Sequence, residues 1–425
     1  MTRAMHEKGE NAKPTLALVS LGCAKNAVDL QVRAGALLKR GYRLSPDPDS
    51  ADVAIVNTCA FIASARAEAE SEIARALALK SRGRYRRVVV AGCYPKRYPR
   101  AYAKFPGVDS WDGVPERWEE PEMPELRFTG KAFAYLKIAE GCSHRCSYCA
   151  IPAIRGRFRS RPADSILREA KALLKSGCRE LDIVAQDPMM YGCDLKPRME
   201  LADLLWMLDK LPGRFWVRVL YTYPSEITDG FLDWLNTSRH AVKYVDVPLQ
   251  HTVPEVLARM NRVRAIEPSL VAAEALRAAV PGVTLRTTVM TGFPGETPLR
   301  FARMRADLKR MQFDRLGAFA YSPEAGTKGA KMSGRPSRKV AEERERIVMS
   351  DAEAVWKVKS ARQIGSVEEA LVVAPGVARL ASQAPDVDGV VYLLDSERAR
   401  AVRVGDFATV RLESVSGFDF EGDVL

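Results

Sequence analysis

Six of the eight cysteines stand where they can bind metal. Cys142, Cys146 and Cys149 form the run C-x3-C-x2-C within EGCSHRCSYC, directly after a strand-like segment. Three thiolates this close in one loop can hold a single metal centre and leave one coordination position open. A structural zinc would want a fourth ligand, and His144 inside the same loop can take that role. Cys23, Cys59 and Cys93 are separated by 36 and 34 residues, yet each ends a strand-like run: SLG-Cys23, VNT-Cys59 and VAG-Cys93. In a parallel sheet the carboxyl ends of neighbouring strands lie side by side, so these three side chains can converge at one crevice. A single buried cysteine is usually a small apolar filler. Recurrence at the same structural point in three successive units argues instead for a second metal site. Cys178 and Cys193 share no such pattern and read as structural.

The elements that must position these residues can be read from apolar periodicity. The runs Leu16–Leu21, Val53–Val56 and Val88–Ala91 alternate with helical patterns over Asn26–Gly41 and Phe61–Lys80. They predict a small α/β domain with a parallel sheet over residues 1–125. The acidic, proline-containing segment Glu116–Pro124 reads as a linker. Six strand-like runs follow between residues 126 and 358, each with helical patterns between: Phe133–Ala139, Glu180–Gln186, Phe215–Tyr221, Lys243–Pro248, Val283–Met290 and Arg315–Tyr321. Repeated βα units without hairpin signals predict a partial (βα)6 barrel, with ligand sites at the strands' carboxyl ends. A long charged helix is expected over Ser337–Arg362. Residues 359–425 carry short strand patterns at Leu371–Val373, Val390–Leu394 and Ala408–Leu412, separated by turn residues, and read as a small all-β barrel.

Composition narrows the class. With 425 residues, about three domains are expected, and 47% hydrophobic with 28% charged residues excludes a disordered or collagen-like chain. No run approaches the roughly 18 consecutive apolar residues of a membrane span, and the first twenty residues lack the pattern of a secretory signal. A cytoplasmic protein is expected, and eight cysteines are too sparse for a disulfide scaffold. The net charge of +12 favours a polyanionic partner, yet the tail from Ser360 onward carries −5 and the remainder +17. Basic residues gather in Lys80–Lys104, with nine Lys or Arg and no acid, and in Arg155–Arg161, with four Arg in seven positions.

The cysteine loop with Tyr148 before its last cysteine resembles the radical S-adenosylmethionine (SAM) superfamily. Taken with Cys23, Cys59 and Cys93, the whole chain resembles the methylthiotransferases, through LGCAKN (21–26), NTC (57–59), AEGCSHRCSYCAIPAIRGRFRSR (139–161), ELDIVAQD (180–187) and GFPGET (292–297). VRVLYTYP (217–224), VPLQH (247–251), AYSPEAGT (320–327) and QAPDVDGVVYL (383–393) are similar to the branch that modifies an aspartate of a ribosomal protein. Ala24, Leu30, Gln31 and Pro188 depart from that branch's usual residues, beside the two cluster loops, while all six cysteines are kept.

The resemblance implies an N-terminal cluster domain, a radical-SAM partial barrel and a C-terminal TRAM barrel. It also implies two [4Fe-4S] clusters, on Cys23/Cys59/Cys93 and on Cys142/Cys146/Cys149, with SAM bound at the second. The chemistry implied is replacement of an unactivated C–H by C–S at the β-carbon of an aspartate in a small-subunit ribosomal protein. Such a bond needs a radical, which the cofactor supplies. An external electron donor is implied as well. Tyr148 is expected to pack on adenine or to shield the loop. Glu180, Gln186, Gln250 and Glu296 are expected at the barrel mouth, where they can bind SAM or substrate. His251 is read as either a core hydrogen-bonding residue or a substrate contact. No catalytic side chain beyond the cluster ligands is assigned. An acidic tail bearing Asp386, Asp388, Asp419, Glu421 and Asp423 suits a basic ribosomal protein, and the basic remainder suits ribosomal RNA. Two other readings stay open: the same chemistry on a tRNA adenosine, and a zinc-stapled nucleic-acid adaptor without enzymatic activity.

Overall fold

The computed structural model describes residues 13–115, 118 and 120–425, so Glu116, Arg117 and Glu119 of the expected linker lie outside the described residues. The chain forms two compact units: residues up to Phe128 together with Ala153–Arg155, and Thr129–Pro152 together with residues 156–425.

The first unit is built on a parallel sheet of β1 (Thr15–Ser20), β2 (Arg43–Leu44), β3 (Ala51–Thr58), β4 (Tyr85–Gly92) and β5 (Ser110–Asp112), in the order β2-β1-β3-β4-β5. β-Branched runs such as AIV and VVV favour the pleated, buried centre. Ile55 and Ala91 pack there with Leu30 of the helix Ala24–Lys39. The helix Ala63–Ser81 buries Ala69, Ile73 and Ala76, spaced as one face of a 3.6-residue period requires. Register then fixes the site, because Ser20 pairs with Asn57 and Thr58 with Gly92. The three strands end at one level, and Cys23, Cys59 and Cys93 follow those ends. The edge strands β2 and β5 were not expected from the sequence, being two and three residues long without alternation.

The second unit opens with six parallel strands, β6 (Phe133–Lys137), β9 (Glu180–Val184), β10 (Trp216–Val219), β11 (Ala241–Asp246), β12 (Thr284–Thr291) and β13 (Arg315–Ala320), adjacent in chain order as a partial barrel. A short antiparallel pair, β7 (Ala139–Glu140) with β8 (Arg159–Ser160), brackets the cysteine loop. The helix Arg338–Ala361 packs on β12 and β13 and runs three residues past the expected boundary at 358. Its Trp356 packs into the core of a closed barrel of β14 (Val367–Ala374), β15 (Val377–Leu380), β16 (Val391–Leu393), β17 (Phe407–Ser416) and β18 (Asp419–Val424).

The two barrels of this unit are joined by buried charge. Glu180 is fully buried, accepts from Arg218 at 2.8 Å and pairs with Arg379 of β15. Asp388 accepts from Tyr244 at 2.5 Å, and Asp386 from Tyr135 at 2.5 Å. These contacts take Asp388 out of the expected acidic docking face, while Asp386 and Glu421 stay exposed. Asp388 is buried and both aspartates answer tyrosines of the partial barrel. Of the remaining three, Asp419 caps Val390 N–H, while Glu421 and Asp423 sit beside Ser414 and Arg411.

Candidate functional site

The first cysteine group is held by a polar lattice joining three loops. The Asn26 amide donates to Leu21 O at 2.6 Å and Thr58 O at 3.3 Å, and the Asn57 amide donates to Asn26 O at 2.7 Å. The Thr58 hydroxyl donates to Ala91 O at 2.6 Å. Close approach is permitted by Gly22 at φ +91°, where an added Cβ would stand 2.7 Å from Cys59 Cβ and 3.1 Å from its Sγ. The three thiols are unequal. Burial pushes Cys93 up to about 12, eased by Arg155, and burial also raises Cys59. For Cys23, desolvation is outweighed by Lys25 and Arg155, which hold it below the usual thiol value. Cys23 also caps the helix Ala24–Lys39, whose N-terminal dipole favours a thiolate.

In the second unit, Cys142, Cys146 and Cys149 are half-buried in the loop between β7 and β8. Ser147 fastens the loop, its N–H donating to Met260 O at 2.9 Å and its hydroxyl to Arg259 O at 2.7 Å, while Gly329 N–H donates to Ser147 O at 2.7 Å. Buried Glu140 accepts from Gly141 N–H at 3.0 Å, Gln186 Nε2 at 3.1 Å and Lys137 Nζ at 2.9 Å. Burial pushes Cys142 and Cys149 up to about 12, against backbone N–H donation and the Arg262 guanidinium. Among the described residues, no three His, Cys, Asp or Glu side chains crowd tightly enough for one metal ion. A cubane cluster takes each thiolate on a different iron, so sulfurs grouped as neighbours suit it.

A raised thiol pKa means that the folded chain keeps a proton the unfolded chain releases. Stability from Cys93, Cys142 and Cys149 is therefore present below the ordinary 9.0 and lost as pH rises toward about 12. The metal-free chain is expected to lose urea resistance as pH rises from about 9 toward about 12, and Cys93→Ala to lose less. Equal losses in denaturation midpoint would contradict this. Cluster loading expels these protons, so reconstitution is expected to improve over the same range.

The other predicted residues separate. Tyr148 lies against the loop: its ring meets Phe293 edge-on at 6.4 Å, its hydroxyl is 3.4 Å from Arg262, and burial beside Cys146 holds its pKa well above the usual value. Gln186 and Gln250 stand at the carboxyl ends of their strands, and each keeps a buried Oε1 without a partner among the described residues. Gln250 also adopts a left-handed φ of +67°, a strained backbone of the kind concentrated at binding sites. Glu180, in contrast, is the first residue of β9 and lies at the amino end, paired with two arginines. The apolar run that it opens set the expectation, while the strand's direction puts it at the opposite end from the mouth. Glu296 is internal as well. It accepts from Gly292 N–H at 2.8 Å and Arg344 at 2.6 Å, and lies 3.2 Å from His251 Nε2, so it shapes the GFPGET turn. His251 Nδ1 accepts from Val253 N–H, in keeping with the core alternative.

Spacing did not reveal a stacked wall next to the loop. His144 Nε2 lies 2.5 Å from Asp187, its ring stacks on Tyr223 at 4.2 Å, and Arg262 covers Tyr223 at 4.2 Å. These residues come from different loops. A cavity of about 370 Å³ opens beside His144 and Asp187, and Cys193, read as structural, lines it with Met190 and Arg198.

Comparison with known proteins agrees with this layout. Residues 136–308 match the Radical SAM superfamily, residues 364–425 the TRAM domain, and residues 15–113 the Uncharacterized protein family UPF0004. Among solved structures, the radical S-adenosylmethionine methyltransferase TsrM from Kitasatospora setae, with cobalamin and a [4Fe-4S] cluster bound, superposes with a TM-score of 0.54 at 16% identity, covering 93% of this chain and 84% of that one. That likeness is one of fold. The "Ribosomal protein uS12 methylthiotransferase RimO" of Geobacter sulfurreducens is 39% identical over 98% of this chain and 99% of its own. The protein of that name from Syntrophus aciditrophicus is 38% identical over 96% and 98%. Relatives this similar over nearly their full length, with one cysteine group at strand ends and the other in a single loop, make the chain a member of the RimO methylthiotransferase family.

Proposed function

We propose that this chain is a radical SAM methylthiotransferase that places a methylthio group on the β-carbon of an aspartate in ribosomal protein uS12. The observation that carries the reading is similarity to RimO proteins along nearly their whole length in a chain that keeps two separate cysteine triplets. Cys142, Cys146 and Cys149 hold one [4Fe-4S] cluster, and Cys23, Cys59 and Cys93 hold the other. When bound, these clusters and SAM supply the radical and the sulfur that no side chain can.

The chain's own part is positioning. Glu140 fixes the loop at Gly141 and turns Gln186 toward the strand ends, where the unpaired oxygens of Gln186 and Gln250 receive SAM or substrate donors. Tyr148 and Phe293 exclude water beside the loop. The protein works in the cytoplasm and takes electrons from an external donor, and the basic surplus outside the tail rests on ribosomal RNA.

A tRNA adenosine is the second reading, favoured by the TRAM match. It is opposed by the tail's charge of −5, because a domain gripping phosphates should be basic. Mass spectrometry of uS12 and of bulk tRNA from cells lacking the gene tests both. The methylthio mass increment is expected to vanish from uS12 and to persist on tRNA, and the reverse would overturn the assignment. Anaerobic reconstitution should bring the iron to about eight atoms per chain, two four-iron clusters. A value of about four that Cys23, Cys59 and Cys93 variants leave unchanged would remove the N-terminal cluster.

A further inference from the structure

Arg155 bears on all three thiols of the N-terminal centre. It belongs to the segment Ala153–Arg155 that folds with the first unit, and is only 4% exposed. Its guanidinium donates to Asp29 Oδ2 at 3.0 Å and to Asn26 Oδ1 at 3.3 Å, and it hydrogen-bonds to Cys93. Its positive charge favours the thiolate at Cys23, at Cys59 and at Cys93. Asn26 is also the residue that ties the loops of Cys23 and Cys59. Five N–H donors on a rigid fork let one guanidinium serve carboxylate, amide and sulfur together.

Formal charge makes this placement meaningful. Lys25 and Arg155 are positive, Asp29 is negative, and all three are buried, a surplus of one positive charge. Three thiolates on a dipositive four-iron core leave one negative charge. The two cancel, and because losing Arg155 together with Asp29 would leave that sum unchanged, what Arg155 adds beyond Lys25 is its hydrogen bond to the Cys93 sulfur.

We propose that Arg155 is the charge-compensating and positioning residue of the Cys23/Cys59/Cys93 centre, favouring cluster assembly and raising the potential at which that cluster is reduced. The inference rests on reading this centre as a four-iron cluster. Net charge and hydrogen bonds to sulfur are levers on cluster potential, and a cation beside the cluster stabilises the more negative, reduced state. The simpler role, a salt bridge that pins residues 153–155 to Asp29, predicts no effect on potential once both partners are neutral.

The test uses the full chain with Cys142, Cys146 and Cys149 changed to Ala, so that one cluster remains. Arg155→Lys keeps the charge. Arg155→Met combined with Asp29→Asn removes the pair without stranding a carboxylate. Iron per chain, circular dichroism and an electron-paramagnetic-resonance redox titration are read on each anaerobically reconstituted protein. The double variant is expected to bind iron about 10- to 100-fold more weakly, the usual cost of losing an outer-shell partner, and at saturating iron to be reduced at a lower potential. Arg155→Lys should keep most iron and shift the potential less. Unchanged affinity and potential in the folded double variant would overturn the proposal, as would equal iron loss in both variants, which would point to shape and not charge. If the starting chain holds no more iron than one also lacking Cys59, the cluster assignment itself falls, and the proposal with it.

Discussion

Cys146→Ala is expected to abolish cleavage of SAM to deoxyadenosine, whereas Cys59→Ala should keep cleavage and lose methylthiolated product. Cys146 is one of three ligands grouped in one loop, and two thiolates cannot hold a cluster that already lacks a fourth protein ligand. Cys59 lies in a different compact unit, after β3, with its own two partners. The loss at Cys146 should be complete, to background deoxyadenosine by chromatography. Cys59→Ala should retain at least about half of the iron, because four of the eight expected atoms belong to the other triplet. Full methylthio product from Cys59→Ala would mean that sulfur does not pass through the first unit.

Gly141→Ala is expected to be nearly as damaging, although it removes no ligand. Gly141 adopts φ +75°, and a Cβ there would stand 2.2 Å from Arg157 O. Its N–H is the donor that Glu140 accepts, directly before Cys142. A left-handed φ alone costs an ordinary residue about 1–2 kcal/mol. The collision with backbone adds to this, because Arg157 O cannot swing aside as a side chain can. Gly156→Ala is the control for backbone strain without collision, since Gly156 combines φ +78° with ψ −166°, a region essentially confined to glycine, and has nothing within 4 Å of its Cβ position. Thermal unfolding and iron content should show Gly156→Ala destabilised by about 1–3 kcal/mol with both clusters kept, and Gly141→Ala without the cluster of its own loop. Equal behaviour of the two would show that the close approach at Gly141 has no part in cluster binding.

The sequence was legible wherever one local rule governed the outcome. The three cysteines after β1, β3 and β4 were readable because parallel register levels strand ends, and Ser20, Asn57 and Ala91 are so levelled. Six strands alternating with helices gave the partial barrel for the same reason. What escaped depended on direction or on distant chain. Glu180, expected at the mouth, opens β9 and so stands at the strand's amino end, and its partners Arg218 and Arg379 lie 38 and 199 residues away. The His144–Tyr223–Arg262 stack draws on three loops, and no periodicity connects them. β15 and β18 carried too few apolar residues to announce themselves, although DFEGDV does alternate, with Phe420, Gly422 and Val424 inward. The acidic tail misled at Asp388, which is buried. Charge is visible in sequence, but Tyr135 and Tyr244 as partners for Asp386 and Asp388 are 251 and 144 residues away.

Those long-range partners bear on how such a chain can change over generations. The closed barrel lies at the chain's end and looks like a cassette that recombination could exchange at the helix Arg338–Ala361. Exchange would strip Arg379 from Glu180, Ala381 O from Arg218 and Asp388 from Tyr244 in one event, leaving the buried Glu180 with Arg218 alone. Breaking a buried pair from one side costs about 3–5 kcal/mol, a large part of a typical domain's stability. A foreign barrel would have to arrive already carrying an arginine and an aspartate at matching positions. The two barrels are therefore expected to be inherited as a single block, with substitutions at 180, 218 and 379 occurring together.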